Sequence, residues 1–432
     1  MSYADFLSKK LADAGAEEGC MLNVESSGKT YRGVLMPHHE FSGHDILILK
    51  MKSGYNIGIR MAEDAKISVE SRPVERVKHE SEDAPKAGLK TIVLIGTGGT
   101  IASYVDYRTG AVHPALSTSD MINAVPEIKE IANLKANVLF SIFSENMTVP
   151  HWQKLAEAIA DELNNGADAV IVPHGTDTMG YTAAAVSFML GDISKPVVFV
   201  GAQRSSDRPS SDASSNLMAA ARFCVNGNAA GVFVVMHEGS GDDTFAVHLG
   251  TRVRKMHTSR RDAFKSINVP PVAIVDRAGK ITFNEKKLRP VSKDKVAVSS
   301  DMCQQVVLLQ FYPGMDPELF RDVILKSKGV VIAGSGLGHV NGNMVPLLKE
   351  ASDKGIVVVI TSQCLNGRTN LNVYNTGRDM LNAGVITVQD MLPETAYAKL
   401  MWALANTKSA EAAKEVMKTC LAGEMSDRRL ML

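Results

Sequence analysis

The chain has 432 residues, long enough for two large domains and a small one, and its 47 Lys and Arg balance 47 Asp and Glu. A formal net charge of zero excludes a protein that grips nucleic acid or anionic membrane mainly by bulk electrostatics. The five cysteines, Cys20, Cys224, Cys303, Cys364 and Cys420, are far apart, with no CxxC and no alternation with histidine at ligand spacing, which argues for a reducing compartment and no metal site.

The N-terminal MSYADFLSKKLADAG has no apolar signal-peptide core, and no apolar run of about 18 residues occurs, so the expectation is a cytoplasmic chain without membrane contact. Residues 2–18 read as a short amphipathic helix with Phe6, Leu7 and Leu11 on one side. From about 20 to 72, KTYRGVLM, HDILILKM, NIGIRM and KISVE are split by turn residues, the pattern of a small β-barrel. Residues 1–72 are thus taken as helix plus barrel, an accessory or docking domain. The charged, proline-containing segment 73–89 reads as a linker.

Beyond it, TIVLIG, DAVIVPHG, KPVVFVGA and AAGVFVVM alternate with helical stretches such as VPHWQKLAEAIADELNN. Apolar runs of this kind belong to parallel strands covered on both faces by helices, so the fold class is α/β. Residues 90–285 form the first α/β domain on this reading. A polar passage at 277–303 holds a hairpin and then a connection, 286–303. QVVLLQF, GVVIAG and GIVVVIT then place a smaller α/β domain at 304–432, ending in helical stretches at 394–406 and 408–421.

In open α/β sheets ligands bind at the carboxyl ends of strands. Four such ends carry chemistry: GTGGT (96–100), FSENM (143–147), HGTDTM (174–179) and GAQRSSD (201–207). The glycine turn is not a phosphate cradle, because no GK[ST] follows and the third small residue of the dinucleotide spacing is missing. Thr176 and Asp177 stand at a strand end with no apolar stripe to make them core, although capping of the next helix would also explain them. Lys255 lies in the basic stretch TRVRKMHTSRRDAFKSIN, where a lysine is ordinarily solvated. His174 is placed to orient the turn that follows it. No GxSxG elbow exists, since Ser335 in AGSGLG has alanine in place of the first glycine.

Taken together and in this order, TGGTIAS, HGTDTM, VGAQR with SSDASSN, and RKMHTSRRDAFKS resemble the bacterial-type L-asparaginase family over roughly residues 90 to 408. The resemblance implies two asparaginase-like α/β domains with parallel sheets, a homodimer core, and a threonine nucleophile acting on amides. Carried onto this chain, it implies Thr100 as nucleophile and Thr176, Asp177 and Lys255 as its catalytic partners. Ser144 and Glu145 match positions that hold the substrate's carboxylate and amine, with glutamate in place of the usual glutamine. Backbone N–H groups around Gly99, Thr100 and Thr176 suit an oxyanion. A threonine hydroxyl needs a base beside it, and a lysine serves only where burial or a neighbouring cation lowers its pKa. A carboxylate beside a lysine works against that, so Lys255 is assigned as the proton-relay partner of Thr176. The family's tyrosine after the nucleophile has Tyr104 and Tyr107 as candidates, with His113 at the more usual position.

The N-terminal extension narrows the resemblance. Some 90 residues of helix, barrel and linker, KSGYNIGI within the barrel, and DMLPETAYAKLMWAL at 390–404 resemble the D-subunit family (GatD) of archaeal glutamyl-tRNA(Gln) amidotransferases. That resemblance implies an ammonia-generating amidohydrolase acting on glutamine or asparagine. A partner, the amidotransferase's E subunit, would bind Glu-tRNA(Gln), use ATP and Mg, and accept the ammonia; no cofactor or metal is expected on this chain. Residues 1–88 carry 12 Lys and Arg against 14 Asp and Glu, so the barrel is expected to dock a partner rather than grip tRNA. A free-standing asparaginase with an accessory domain is the alternative, and a non-catalytic scaffold has no use for the four catalytic candidates together.

Overall fold

The computed structural model describes residues 3–38, 42–51, 56–72, 85–98, 103–105, 112–114, 126–204, 211–284 and 288–428. The chain opens with α1 (Asp5–Asp13), which buries Leu7 and Leu11. These lie over β1 (Met21–Ser26), β2 (Lys29–Leu35), β3 (Ile46–Met51), β4 (Asn56–Arg60) and β5 (Lys66–Ser71). Alternation puts Leu22, Val24, Leu47 and Leu49 on the helix side, where they form a separate small core with Leu7 and Leu11. The five strands make one antiparallel sheet in the order β4-β3-β2-β1-β5. The expected small barrel therefore takes the form of an open ladder: among the described residues no ladder joins β4 to β5.

The next unit contains β6 (Thr91–Gly98), β7 (Ser103–Val105), β8 (Val112–Pro114), β9 (Asn133–Ile142), α2 (Val149–Asn164), β10 (Ala169–Pro173), α3 (Met179–Leu190), β11 (Pro196–Val200), α4 (Ala213–Asn226) and β12 (Gly231–His237). It continues through β13 (Thr244–Leu249), β14 (Val253–Lys255), β15 (Phe264–Ser266), β16 (Ala273–Asp276) and β17 (Ile281–Phe283). The main sheet has the order β17-β16-β13-β12-β11-β10-β6-β9. Strands β9, β6, β10, β11 and β12 are mutually parallel, and every residue of β10 and β11 is buried, as a strand covered on both faces requires. The sheet is mixed rather than parallel throughout, because β13, β16 and β17 pair antiparallel. The six residues between β12 and β13 are too few for a crossover helix, so the chain can only turn back on itself. The hairpin expected within 277–303 starts earlier, as β16–β17 over 273–283, so that only its turn and second strand fall in the polar passage, and residues 288–304 follow as a connection without helix or strand.

The last unit comprises β18 (Val306–Gln310), α5 (Pro317–Leu325), β19 (Gly329–Gly334), α6 (Val345–Asp353), β20 (Val357–Ser362), α7 (Asn375–Asn382), β21 (Ile386–Thr387), α8 (Pro393–Asn406) and α9 (Ala410–Lys418). Its four strands are all parallel. Helix α3 has no polar stripe and is buried almost all round, the signature of a helix between two layers. It belongs, with α8, to one apolar core that includes Val170 of the first sheet and Val331 and Val359 of the second.

Residues 419–428 return to the first α/β unit. The fully buried Arg252 donates from Nε to the Gly423 carbonyl at 2.7 Å, from one terminal nitrogen to Asp390 Oδ2 at 3.0 Å, and from the other to Ser426 Oγ at 2.9 Å. Nearby, Lys399 and Glu424 form an ion pair at 2.5 Å with both side chains fully buried. Burial lowers the Lys399 pKa while Glu424 opposes the shift.

Candidate active site

The parallel part of the sheet starts at β6, places the next parallel strand, β9, outside it, and then crosses to β10, β11 and β12 on the other side. The strand order therefore reverses between β6 and β10, and a crevice opens at their carboxyl ends, where such sheets bind ligands. Thr97, buried near the end of β6, donates its hydroxyl to the Pro173 carbonyl at the end of β10 at 2.9 Å. This bond pins the two lips of the crevice together.

On the β6 side the chain turns at Gly98, with φ of +102°. A Cβ there would lie 2.3 Å from the Ile142 carbonyl oxygen, so the turn toward residues 99 and 100 needs glycine for both conformation and space. Gly99 and Thr100 lie outside the described residues, as does Tyr107. The backbone of the β7–β8 ladder places Tyr104 directly opposite His113, so the two candidate positions are cross-strand neighbours.

On the β10 side the loop His174–Thr178 carries the next two candidates. Lys255, at the end of β14, donates from Nζ to Thr176 Oγ1 at 2.8 Å and to Asp177 Oδ1 at 2.8 Å. Thr176 is buried, whereas the Asp177 side chain is 69% exposed, so the row runs from the protein interior toward solvent. The capping explanation for this pair does not hold. The N-cap of α3 is Thr178, and its hydroxyl donates to the Ser144 carbonyl at 2.7 Å instead of capping the helix.

That bond brings in the end of β9. Ser144 is buried and opens a short 3-10 turn, Ser144–Asn146, while Glu145 on the same turn is exposed. Gly175 packs directly against Ser144. Ser144, Thr176, Asp177 and Lys255, nominated from separate stretches of sequence, thus converge at one place.

His174 is fully buried and its Nδ1 lies 2.7 Å from the Gly175 carbonyl. Desolvation pushes its pKa down to about 4, so the ring is neutral and its Nδ1–H donates to that carbonyl. It orients the turn, as the sequence indicated, without offering a charge.

Sequence reasoning missed Thr97, Thr178 and a buried polar group behind the loop formed by Asp212, Asn216 and His237. Thr97 sits inside the GTGGT motif and Thr178 inside HGTDTM, so the signal was adjacency. Asp212 and Asn216 stand within SSDASSN, a stretch quoted for its resemblance without a role for either residue, and His237, a lone polar residue after the apolar run GVFVVM, carries no pattern of its own. Among the described residues no group of three or more His, Cys, Asp or Glu is placed to hold a metal ion. No helix among them is long and apolar enough to cross a membrane.

Comparison with known proteins places three family models on the chain: "Asparaginase, N-terminal" on residues 91–289, "Glutaminase/Asparaginase C-terminal domain" on 305–417, and "GatD N-terminal domain" on 16–69. The D subunit of the glutamyl-tRNA(Gln) amidotransferase of Pyrococcus furiosus is 49% identical over 99% of this chain and 98% of that protein. The Sulfolobus acidocaldarius protein of the same name is 42% identical over 98% and 94%. Among solved structures, the thermostable L-asparaginase of Thermococcus kodakarensis matches with a TM-score of 0.71 and 31% identity, covering 78% of this chain and 100% of that one. L-asparaginase I of Vibrio cholerae matches at 0.68 and 30%, covering 78% and 99%.

Proposed function

Because the chain belongs to the family of glutamyl-tRNA(Gln) amidotransferase D subunits, we propose that it hydrolyses the side-chain amide of glutamine or asparagine and delivers the ammonia for amidation of Glu-tRNA(Gln). The observation that carries the reading is the Lys255 ammonium within 2.8 Å of both Thr176 and Asp177, beside the strand that leads into GTGGT.

Thr100 is the nucleophile in this scheme. Its oxygen attacks the amide carbon, and its proton passes through Thr176 and Lys255 to the leaving nitrogen, which departs as ammonia. Backbone N–H groups around Gly99, Thr100 and Thr176 stabilise the tetrahedral oxyanion, a device worth about 3–4 kcal/mol of barrier per donor. Water then cleaves the acyl-threonine ester, restoring the hydroxyl and releasing the free acid. Ser144 holds the substrate's α-carboxylate, and Glu145 and Asp177 hold its ammonium.

The chain acts in the cytoplasm with a partner, the E subunit of the amidotransferase, which binds the misacylated tRNA and uses ATP and Mg; the core is a homodimer. The N-terminal sheet is the docking element.

The test is an ammonia-release assay on the purified chain with each amide, alone and with the E subunit plus Glu-tRNA(Gln). Stimulation by the partner and tRNA is expected, together with loss of release in Thr100→Val. Full turnover in that variant would discard Thr100 as the nucleophile. The fold shared with complete L-asparaginase chains favours one other reading, a free-standing asparaginase, and rapid release untouched by partner or tRNA would establish it.

A further inference from the structure

Behind Thr176 a chain of buried polar groups spans the site. Asp212, fully buried, accepts the backbone N–H groups of Gln203 and Arg204 at 3.0 Å each. Asn216, also fully buried, donates from Nδ2 to the Gly201 carbonyl at 3.0 Å and to Asp212 Oδ2 at 3.1 Å. Gly201 in turn backs the site: a Cβ there would lie 2.7 Å from Thr176 Cγ2.

His237 continues the chain, fully buried and edge-on to the Phe245 ring. Its Nδ1 meets Asn216 Oδ1 at 2.6 Å and its Nε2 meets Asp242 Oδ1 at 3.0 Å. Asp242 also accepts from Arg261 at 2.7 Å, and Arg261 lies in the turn between β14 and β15, the hairpin that carries Lys255. Lys265 of β15 donates to the Glu238 carbonyl at 2.8 Å, tying the hairpin a second time to the loop that holds Asp242.

The hydrogen-bond directions are forced. Gly201 O can only accept, so Asn216 must point its NH2 there, leaving its oxygen toward His237. That oxygen can only accept, so Nδ1 must donate. The Asp242 carboxylate, paired with Arg261, can likewise only accept, so Nε2 must donate as well.

We propose that His237 is a positioning residue, a two-donor imidazolium that braces the strand end behind Thr176 against the hairpin bearing Lys255. Without both N–H groups one half of the brace is lost, and the 2.8 Å spacing of Lys255 to Thr176 is no longer fixed from both sides.

Two measurements test it, and only the second rests on the amidohydrolase reading. In long-range proton–nitrogen spectra of the histidine-labelled full chain at neutral pH, with His237→Gln identifying the signal, both ring nitrogens of His237 are expected at protonated positions. One nitrogen at the unprotonated position would overturn the assignment. Asp242→Ala then cuts the outer arm at a half-exposed side chain. It is expected to lower kcat for ammonia release about tenfold with KM changed less than about twofold, and Asp242→Asn, which keeps an accepting oxygen, to recover most of the loss. An unchanged kcat, or a rise in KM alone, would overturn the positioning role. A wild-type chain inert on both amides would instead remove the proposed function, and the spectrum would still decide the state of the ring.

Discussion

Gly175 sits so close to Ser144 that a Cβ at position 175 would lie 2.7 Å from the Ser144 Cβ and 2.8 Å from its hydroxyl. The contact joins the loop that follows β10 to the turn that follows β9. Gly175→Ala must therefore push Ser144 aside. Overpacking of this kind costs about 1–3 kcal/mol, and the expected result is a rise of about tenfold or more in KM for the amide, equivalent to about 1.4 kcal/mol of binding. Steady-state kinetics with a parallel thermal melt separates the two effects.

Lys255→Met removes the donor shared by Thr176 and Asp177. Loss of a proton-transfer partner costs about 100- to 10,000-fold in rate, so kcat should fall within that range. The ion pair with Asp177 is largely solvent-facing on the carboxylate side, and pairs of that kind contribute about 0–1 kcal/mol to stability. Unfolding should therefore be nearly unchanged, and a large drop in Tm would reassign Lys255 to a structural role.

Two histidines make the fold sensitive to acid. Burial lowers the pKa of His174 to about 4 and that of His248 to about 3. Between the unfolded value, about 6.5, and these folded values, only the unfolded chain takes up the proton. Stability is full above pH 6.5 and falls on acidification, by about 1.4 kcal/mol per pH unit for each histidine. Glu394, whose pKa burial raises, acts in the opposite sense above its unfolded value. Urea midpoints from pH 7 to pH 5 measure the sum. His248→Asn keeps a polar group for the Ser266 hydroxyl, 2.8 Å from the native ring, and should reduce the slope; equal slopes would refute the role of His248.

The buried pair Lys399–Glu424 gives an asymmetric mutational result. Glu424 also accepts the N–H groups of Leu421 and Ala422 at 3.0 and 2.7 Å. Glu424→Gln leaves the buried Lys399 ammonium without a counter-charge, held by the Thr419 carbonyl alone at hydrogen-bond strength, and should cost about 3–5 kcal/mol. Combining Lys399→Met with Glu424→Gln, whose amide oxygen still accepts from the Leu421 and Ala422 N–H groups, should cost much less than the two single losses added. A double-mutant cycle by chemical denaturation reads the difference, and additive losses would mean the charges do not depend on each other.

The sequence was most legible where both faces of a strand are buried. AVIVP and PVVFV show as unbroken apolar runs because nothing along them meets water. Strand direction leaves no such mark: the four inner residues of TFAVHL in β13 are buried like those of the parallel strands, yet β13 pairs antiparallel with β12. The same limit applies to the site. Thr176, Asp177 and Lys255 were nominated by residue type and motif, and the hydrogen bonds among them depend on a fold that brings residues 78 and 79 positions apart together. SSDASSN drew notice without giving Asn216 a role, and His237 gave no signal, since a polar residue that satisfies another buried polar residue is recognisable only when both are seen.

The clamp at Arg252 also sets an order of events. Its bonds to Gly423 and Ser426 bridge 171 and 174 residues of chain, so the β14–β15 hairpin emerges from the ribosome well before the segment that secures it. Domains fold during synthesis as their residues become available, and here the Arg252 anchor at the base of the hairpin that carries Lys255 stays incomplete until the closing stretch has been made. Nascent chains stalled before residue 420 are accordingly expected to release no ammonia, which an assay on ribosome-bound chains reads directly. Translation itself would then time the onset of hydrolysis, keeping a half-made enzyme from consuming amide before it can meet an acceptor.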